Sequence, residues 1–409
     1  MRGSRLLVVV LLAALVLSML GPTALALPSA VGVDHVPGQI VVGLRNGVAL
    51  DARVLGVQTE AEQVDEVPTL NAIVLQVAPQ AEQAVLKALQ HNPNVEFAEP
   101  NYIATIDVVP NDTYVSSPYN SSHSGAVSQW AWAKIQAYQA WDVTTGSASA
   151  KIAVVDTGID NANPDLPAVV LQKDFINNDN NAEDDNGHGT HVAGTIGART
   201  NNGSGVAGMN WNVSLMAAKV LNNTGSGAYS AVANGITWAA DNGAKVINLS
   251  LGGPASTLLQ NAITYAWNKG AVLACAAGNS GSSAKSYPGA YTQCIAVAAT
   301  DQNDAKASFS NYGNKWVDVA APGVAILSTT PDTSVYLNTQ YGYYKNFDAL
   351  NGTSMATPHV AGLAGLVWAK GACTTNTCVR NKIESTADKI SGTGKYWAYG
   401  RINAYNAVK

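Results

Sequence analysis

Apolar positions along this chain fall into two alternating patterns. From about Trp130 onward, short and nearly unbroken apolar runs give way repeatedly to stretches with helical spacing. Lys151–Val155, Val213–Val220, Ala244–Leu251, Ala271–Ala276, Cys294–Ala299 and Val317–Ala320 read as strands. Gly189–Gly197, Tyr229–Asn242 and Thr257–Lys269 read as helices, the second with Ile236 and Trp238 in its apolar set. A last apolar stretch, Val360–Val367, reads as a helix entered through the small residues Gly352-Thr353-Ser354. Strands that alternate with helices and lack a polar face predict an α/β fold, a parallel sheet with helices on both faces. In such sheets functional groups gather at the carboxyl ends of the strands.

The pattern before Trp130 is different. Arg2 and Arg5 precede the apolar run Leu6–Leu20, Gly21-Pro22 breaks it, and Ala24-Leu25-Ala26 offers a small-x-small cleavage site. That order reads as an export signal, since the run is short of the ~20 residues that span a bilayer. No second segment is long enough to span one. Gln39–Leu44, Asn71–Val77 and Asn94–Ile103 are strand-like, and Ala81–His91 has helical spacing through Val85, Leu86 and Leu89. Together they predict a small α+β unit, followed by a polar, proline-bearing linker over Ile106–Ser117.

Composition changes this picture only a little. The 409 residues suit one large domain or two modest ones, and a net charge of −5 gives no reason to expect a nucleic-acid partner. Four cysteines stand in the last third of the chain. Export permits disulfides, and the expected pairs are Cys373 with Cys378 and Cys275 with Cys294. The alternative for Cys275 and Cys294 is a pair of buried thiols. Their spacing is not that of a zinc site.

Four short motifs carry candidate chemistry. Asp156 closes the strand Lys151–Val155, where a turn aspartate is the ordinary alternative. Asp156-Thr157-Gly158 also spells the aspartic-protease signature, but that chemistry needs two carboxylates in one site and the chain has a single Asp-Thr-Gly. His188 and His191 stand three apart at a predicted helix start. They could share a metal on one helix face, yet no Glu accompanies them as in the helical zinc-protease motif. The other reading makes His188 a general base with His191 packed behind it. Asn279 follows a strand in Ala276-Ala277-Gly278-Asn279, where its amide can donate to a developing oxyanion or merely serve a glycine-rich turn. Ser354 is either a helix cap or a nucleophile on a tight turn.

These blocks, with Gly352-Thr353-Ser354-Met355-Ala356 as the last, resemble the four signatures of the subtilisin-like serine proteases, whose triad order Asp, His, Ser is the order found here. Val232–Thr237, Tyr265–Gly270, Thr300–Asp304 and Ala387–Gly394 resemble the calcium-binding, extracellular, thermitase-like branch of that family. The resemblance spans roughly residues 108–409. It implies Ser354 as nucleophile, His188 as general base, Asp156 as its orienting partner, and the Asn279 amide with the Ser354 N–H as oxyanion donors. It implies Gly225-Ser226-Gly227 and Ser250-Leu251-Gly252 as segments that pair with a substrate backbone as added strands. Tyr229 is expected in the pocket for the fourth residue before the cut, and Ser286 at the floor of the primary pocket. A small, uncharged floor predicts a broad preference for apolar or aromatic residues.

Calcium is the expected cofactor, at two or more structural sites. Asp174, Asn177, Asp179, Asn181 and Glu183 place oxygen ligands along one loop, which suits Ca²⁺, although a solvated polar loop is the alternative. The resemblance implies a tighter site from Asp112, Asp165, Asn202 and the backbone carbonyls of Arg199, Ser204 and Val206. Val192 stands where thermitase-like relatives carry a cysteine, so thiol-directed mercurials should inhibit less. The early unit becomes a pro-region that templates folding and then inhibits, with its tail Pro100–Ile106 in the cleft and self-cleavage within Thr105–Asn111. The expected layout is a signal peptide over 1–26, a pro-domain over 27–108 and a peptidase domain over 109–409. The expected product is a secreted, monomeric endopeptidase acting on proteins and peptides. A silent member of the fold, kept as a binding module, is the competing reading, but none of the triad residues is missing.

Overall fold

The computed structural model describes residues 35–57, 60–103 and 109–409. The expected export signal and most of the expected processing stretch lie outside these residues. The chain divides into two compact units, Met1–Ile106 and Asp107–Lys409.

The first unit is an antiparallel sheet with one helix. Its strands are β1 (His35–Leu44), β2 (Ala61–Val67), β3 (Ala72–Val77) and β4 (Val95–Tyr102), ordered β2-β3-β1-β4, and its helix is α1 (Glu82–Leu89). Val85, Leu86 and Leu89 of α1 pack on Ile40, Val42, Ile73 and Leu75. Strand β2 was not expected. Its sequence, AEQVDEV, is almost wholly exposed, so it carries no buried alternation to read. Its place at the sheet edge explains the charges, which discourage further strand pairing. Pro100 is tolerated in β4 because β4 is the opposite edge.

The second unit is built on an eight-stranded sheet, parallel throughout. In chain order its elements are β5 (Lys151–Asp156), β6 (Leu171–Asp174), α2 (His188–Gly197), β7 (Ser214–Lys219), α3 (Tyr229–Asp241), β8 (Val246–Leu249), α4 (Thr257–Asn268), β9 (Val272–Ala276), β10 (Cys294–Thr300) and β11 (Val319–Pro322). An antiparallel pair follows, β12 (Ile326–Thr329) with β13 (Phe347–Leu350), and the short helix α5 (Tyr336–Tyr341) lies between them in sequence. Helix α6 (Thr353–Lys370) and strand β14 (Gly400–Arg401) complete the frame. The expected α/β class is found, and the strands and helices read from the pattern are present with ends shifted by a residue or two. The exception is α6, which starts earlier than its apolar stretch.

Two-residue periodicity divides the strands between two cores. Ile152 and Val154 of β5, with Leu215 and Ala217 of β7, pack against Val192 and Ile196 of α2 and Val360 and Leu363 of α6. Ala153 and Val155, with Met216 and Ala218, pack against Val232 and Ile236 of α3 and Leu259 and Ile263 of α4. Both expected disulfides form. Cys275–Cys294 joins β9 to β10 and Cys373–Cys378 closes a small loop after α6.

The sheet order is β14-β11-β10-β9-β8-β5-β7-β6. The chain starts at β5, builds to one side, then crosses over and continues outward from β8. The direction therefore reverses between β5 and β8, and a crevice is expected beyond the carboxyl ends of those two strands. Asp156 closes β5, and Ser250 follows β8.

Candidate active site

Asp156 is fully buried, and its Oδ1 accepts from the Thr157 N–H at 2.8 Å and from His188 Nδ1 at 2.7 Å. That contact fixes the tautomer when His188 is neutral, with the proton on Nδ1 and a free Nε2 lone pair. Burial alone would lower the His188 pKa. The charge and hydrogen bond of Asp156, with the charge of Asp184 behind them, outweigh burial and hold it above the ordinary histidine value. His191 is not part of this arrangement. Its Nε2 faces the carbonyls of Ile326 and Asp348 at 2.9 and 3.2 Å, and burial, then the charge of His188, push its pKa down to about 3. The two histidines do not converge on one site.

The turn that carries His188 is tied to the Asp156 turn by residues that the sequence did not single out. Asp184 Oδ1 accepts from Thr157 Oγ1 at 2.8 Å and from the Gly187 N–H at 2.8 Å. Its Oδ2 accepts from the N–H and the hydroxyl of Thr190 at 2.8 and 2.7 Å. Thr157 Oγ1 in turn accepts from the Gly189 N–H at 2.9 Å. Lys219, also buried, sends Nζ to Thr157 O at 2.6 Å, to Asp185 Oδ1 at 2.5 Å and to Leu221 O at 3.1 Å. One ammonium thus joins the ends of β5 and β7 to the segment before His188. The available signal was a lone cation at the carboxyl end of an apolar strand.

Ser354 sits in the first turn of α6. Among the described residues its Oγ donates only to Ser250 O, at 3.1 Å, and makes no hydrogen bond to His188. Catalytic hydrogen bonds are often loose before substrate arrives. Pro358 lies inside α6 and has no N–H to return to the Ser354 carbonyl. Ser250 Oγ donates to that carbonyl instead, at 2.9 Å. Ser250 and Ser354 are therefore linked in both directions.

Asn279 is exposed, and its amide orientation is dictated by its partners. Oδ1 accepts from the Thr353 N–H at 2.8 Å and from Thr353 Oγ1 at 2.9 Å, and a backbone N–H can only donate. Nδ2 is left without a partner among the described residues. The Ser354 N–H is likewise unpartnered, as the first N–H groups of a helix are.

A cavity of about 450 Å³ runs from Ser354 and Asn279 between the Leu251–Gly253 segment and Ala276–Gly278. Ser286 lies across it. A Cβ on Gly252 would stand 2.5 Å from Ser286 Oγ, and one on Gly278 would stand 3.2 Å from Ser286 Cβ. Gly253 and Tyr287 exchange both backbone hydrogen bonds, at 2.8 and 2.9 Å, and so hold this wall in place. Tyr229 donates through its hydroxyl to Pro254 O at 2.8 Å. Gly225, Ser226 and Gly227 are not among the residues that line this cavity and form a separate turn before α3. There Asn222 Oδ1 accepts from Ser226 N at 3.0 Å, and Asn186 Nδ2 donates to Asn223 O at 2.6 Å, linking that turn to the His188 turn.

The subtilase family model matches residues 147–401, well over half of the chain. The chain belongs to the subtilase family. The fervidolysin N-terminal prodomain model matches residues 22–101 of this subtilase. It is 54% identical over 302 residues to thermitase of Thermoactinomyces vulgaris, covering 73% of this chain and 99% of that one. It is 50% identical over 328 residues to a thermophilic serine proteinase of Bacillus sp. strain AK1, covering 80% and 76%. Among solved structures, a protease of Pseudoalteromonas arctica PAMC 21717 aligns with a TM-score of 0.63 at 32% identity, over 74% of this chain and 99% of that one. This subtilase is a serine protease with an N-terminal prodomain.

The candidate calcium ligands of the subtilase fall into two places. Asp112 and Asp165 are both buried, with Asn202 between them. Burial, opposed by hydrogen bonds and reinforced by the charge of Asp112, pushes Asp165 up to about 6. Burial also raises Asp112. Among the described residues, no hydrogen bond reaches the carbonyl oxygens of Arg199, Ser204 or Val206. A compact cation would relieve both strains, so these groups fit Ca²⁺. Among the described residues no three acidic, histidine or cysteine side chains cluster around one point. In the second place, Asp174 Oδ1 accepts from the N–H groups of Ile176 and Asn177 at 2.6 and 2.9 Å, and Asp179 Oδ1 accepts from Asn181 N at 2.8 Å. Glu183 follows in the same loop. Partial burial and the carboxylates of Asp160 and Asp184 drive it up to about 7.

Proposed function

We propose that this subtilase is an exported, calcium-stabilised endopeptidase made as a zymogen. The observation that carries the reading is the 2.7 Å contact of His188 with Asp156, together with the two unpartnered donors at Ser354 and Asn279. Ser354 Oγ attacks the scissile carbonyl and gives its proton to His188 Nε2. Asp156 keeps Nδ1 protonated and stabilises the imidazolium. The oxyanion that forms takes the Ser354 N–H and Asn279 Nδ2. His188 then protonates the leaving amine, and water repeats the sequence on the acyl-enzyme. The Gly225–Gly227 and Ser250–Gly252 segments receive the substrate as an added strand. The small Ser286 floor favours apolar and aromatic side chains. The pro-domain acts as folding template and inhibitor until cleavage near Thr105–Asn111, and the mature enzyme works outside the cell. The wild type should digest casein, and a sulfonyl fluoride should stop it by modifying Ser354 alone. Undiminished digestion after complete labelling would overturn the reading.

Two further results are expected. Asn279→Ala should lower kcat by about 10²–10³ with KM little changed, the scale known for the corresponding donor in a subtilisin. A parallel rise in KM with kcat intact would instead assign Asn279 to substrate binding. Calcium removal should matter more at high pH. Asp165 titrates near the ordinary 3.8 when unfolded and near 6 in the metal-free fold, so the folded state binds the extra proton between these values. Metal-free stability then falls as pH rises through that window, by on the order of 3 kcal/mol. Bound Ca²⁺ cancels the penalty. The gap in Tm between calcium-loaded and metal-free enzyme should be wider at pH 8 than at pH 4.5, and an equal gap would argue against Ca²⁺ at Asp165.

A further inference from the structure

The cavity that begins at Ser354 has one charged residue among the described residues that line it. Lys285 lines it, one residue before the Ser286 floor. The other walls are small, apolar or neutral, with Leu251, Ala276, Ala284 and Asn311 among them. Buried and half-buried cations elsewhere in the domain are committed. Lys219 pairs with Asp185, Arg380 with Asp318 and Glu384, and Arg401 with Asp304 and Asp388. Among the described residues the Lys285 ammonium has neither an ion pair nor a hydrogen bond.

The backbone that carries Lys285 is anchored. Asn311 Oδ1 accepts from the N–H groups of Ser280 and Ser282 at 2.9 and 3.3 Å, and Asn311 Nδ2 donates to Ala284 O at 3.4 Å. Tyr287 N is held by Gly253 O at 2.9 Å. An exposed, unpartnered ammonium on a fixed loop that lines a pocket, with no carboxylate among the described lining residues, is a standing counter-charge for an anion that enters.

We propose that Lys285 gives this pocket a second specificity, for glutamate at the residue before the cut. This rests on the reading of the cavity as the primary substrate pocket. The long Glu side chain carries its carboxylate past the neutral walls to the ammonium, whereas an apolar residue fills the same space without it. Lys285 is exposed, so the attraction is partly screened, and a charge-assisted contact of this kind is worth about three- to tenfold in kcat/KM.

The test uses the full chain, expressed and allowed to mature, and tetrapeptide anilides that differ only in Glu, Gln or Lys at that residue. In the wild type the Glu/Gln ratio of kcat/KM should be about 3–10 at low ionic strength and fall toward unity in about 1 M NaCl. Lys should be cleaved more slowly than Gln. Lys285→Ala should bring the Glu/Gln ratio to one or below, and Lys285→Glu should favour Lys over Glu. The ratio is internal to each preparation, so a poorly maturing variant still reports, and the salt series needs no variant. A wild-type ratio of one or less, or an unchanged ratio in Lys285→Ala, overturns the inference while leaving the protease reading intact. A wild type that cleaves none of the peptides overturns both.

Discussion

Ser354→Ala is expected to abolish both maturation and proteolysis, with kcat lower by about 10⁶, the scale known for the nucleophile of related subtilisins. The chain should accumulate as its unprocessed form. The fold should survive, because the link that holds the nucleophile turn to Ser250 uses the Ser354 carbonyl, which alanine keeps. Near-native melting beside an inert protein separates a chemical loss from a structural one. Processing at the wild-type rate in the variant would show that another group, or another protein, makes the cut.

Asp156→Asn is expected to cost about 10⁴ in kcat, for a reason legible in the hydrogen bonds. Asp156 Oδ1 serves both Thr157 N and His188 Nδ1, while Oδ2 is buried without a partner among the described residues. An asparagine can keep its oxygen at the first position only by placing its NH₂ at the second, where the two donors find nothing. The opposite flip turns a donor toward Nδ1 and imposes the wrong tautomer. Either way the charge that holds the His188 pKa above its ordinary value is gone. The acidic limb of the kcat/KM profile should therefore move to lower pH as the plateau falls. A lower plateau with an unmoved limb would mean that Asp156 orients His188 without stabilising its charge.

Much of this molecule was legible because its chemistry lies where pattern and fold coincide. The unbroken apolar runs marked strands covered on both faces, and the residues that end or follow them became Asp156, Ser250 and Asn279. Polar scaffolding was harder to see. Asp184 gathers donors from the Thr157, Gly187 and Thr190 positions, and only the folded turn brings those together. Helix α5 rests its Tyr336 and Leu337 N–H groups on the Asp185 and Asn186 carbonyls, and its sequence, YLNTQY, has no buried residue to announce it. Lys285 carries no signal in the sequence, because only the fold of the Ser280–Tyr287 loop brings it to the cavity beside Ser286. Along the acidic loop, spacing groups Glu183 with Asp174 but gives no sign of the charges of Asp160 and Asp184, which with burial raise its pKa.

The proline in α6 has a consequence for how this sequence can drift. A helix would normally close its own ladder at the Ser354 carbonyl, but Pro358 withholds the N–H, and a hydroxyl 104 positions upstream in the sequence completes it. Two distant codons are thereby made interdependent. Losing the hydroxyl strands a carbonyl, and replacing the proline supplies a competing donor that can release the hydroxyl. Tolerated change at either position is expected to arrive with change at the other, so the link between Ser250 and the Ser354 turn is inherited as a pair.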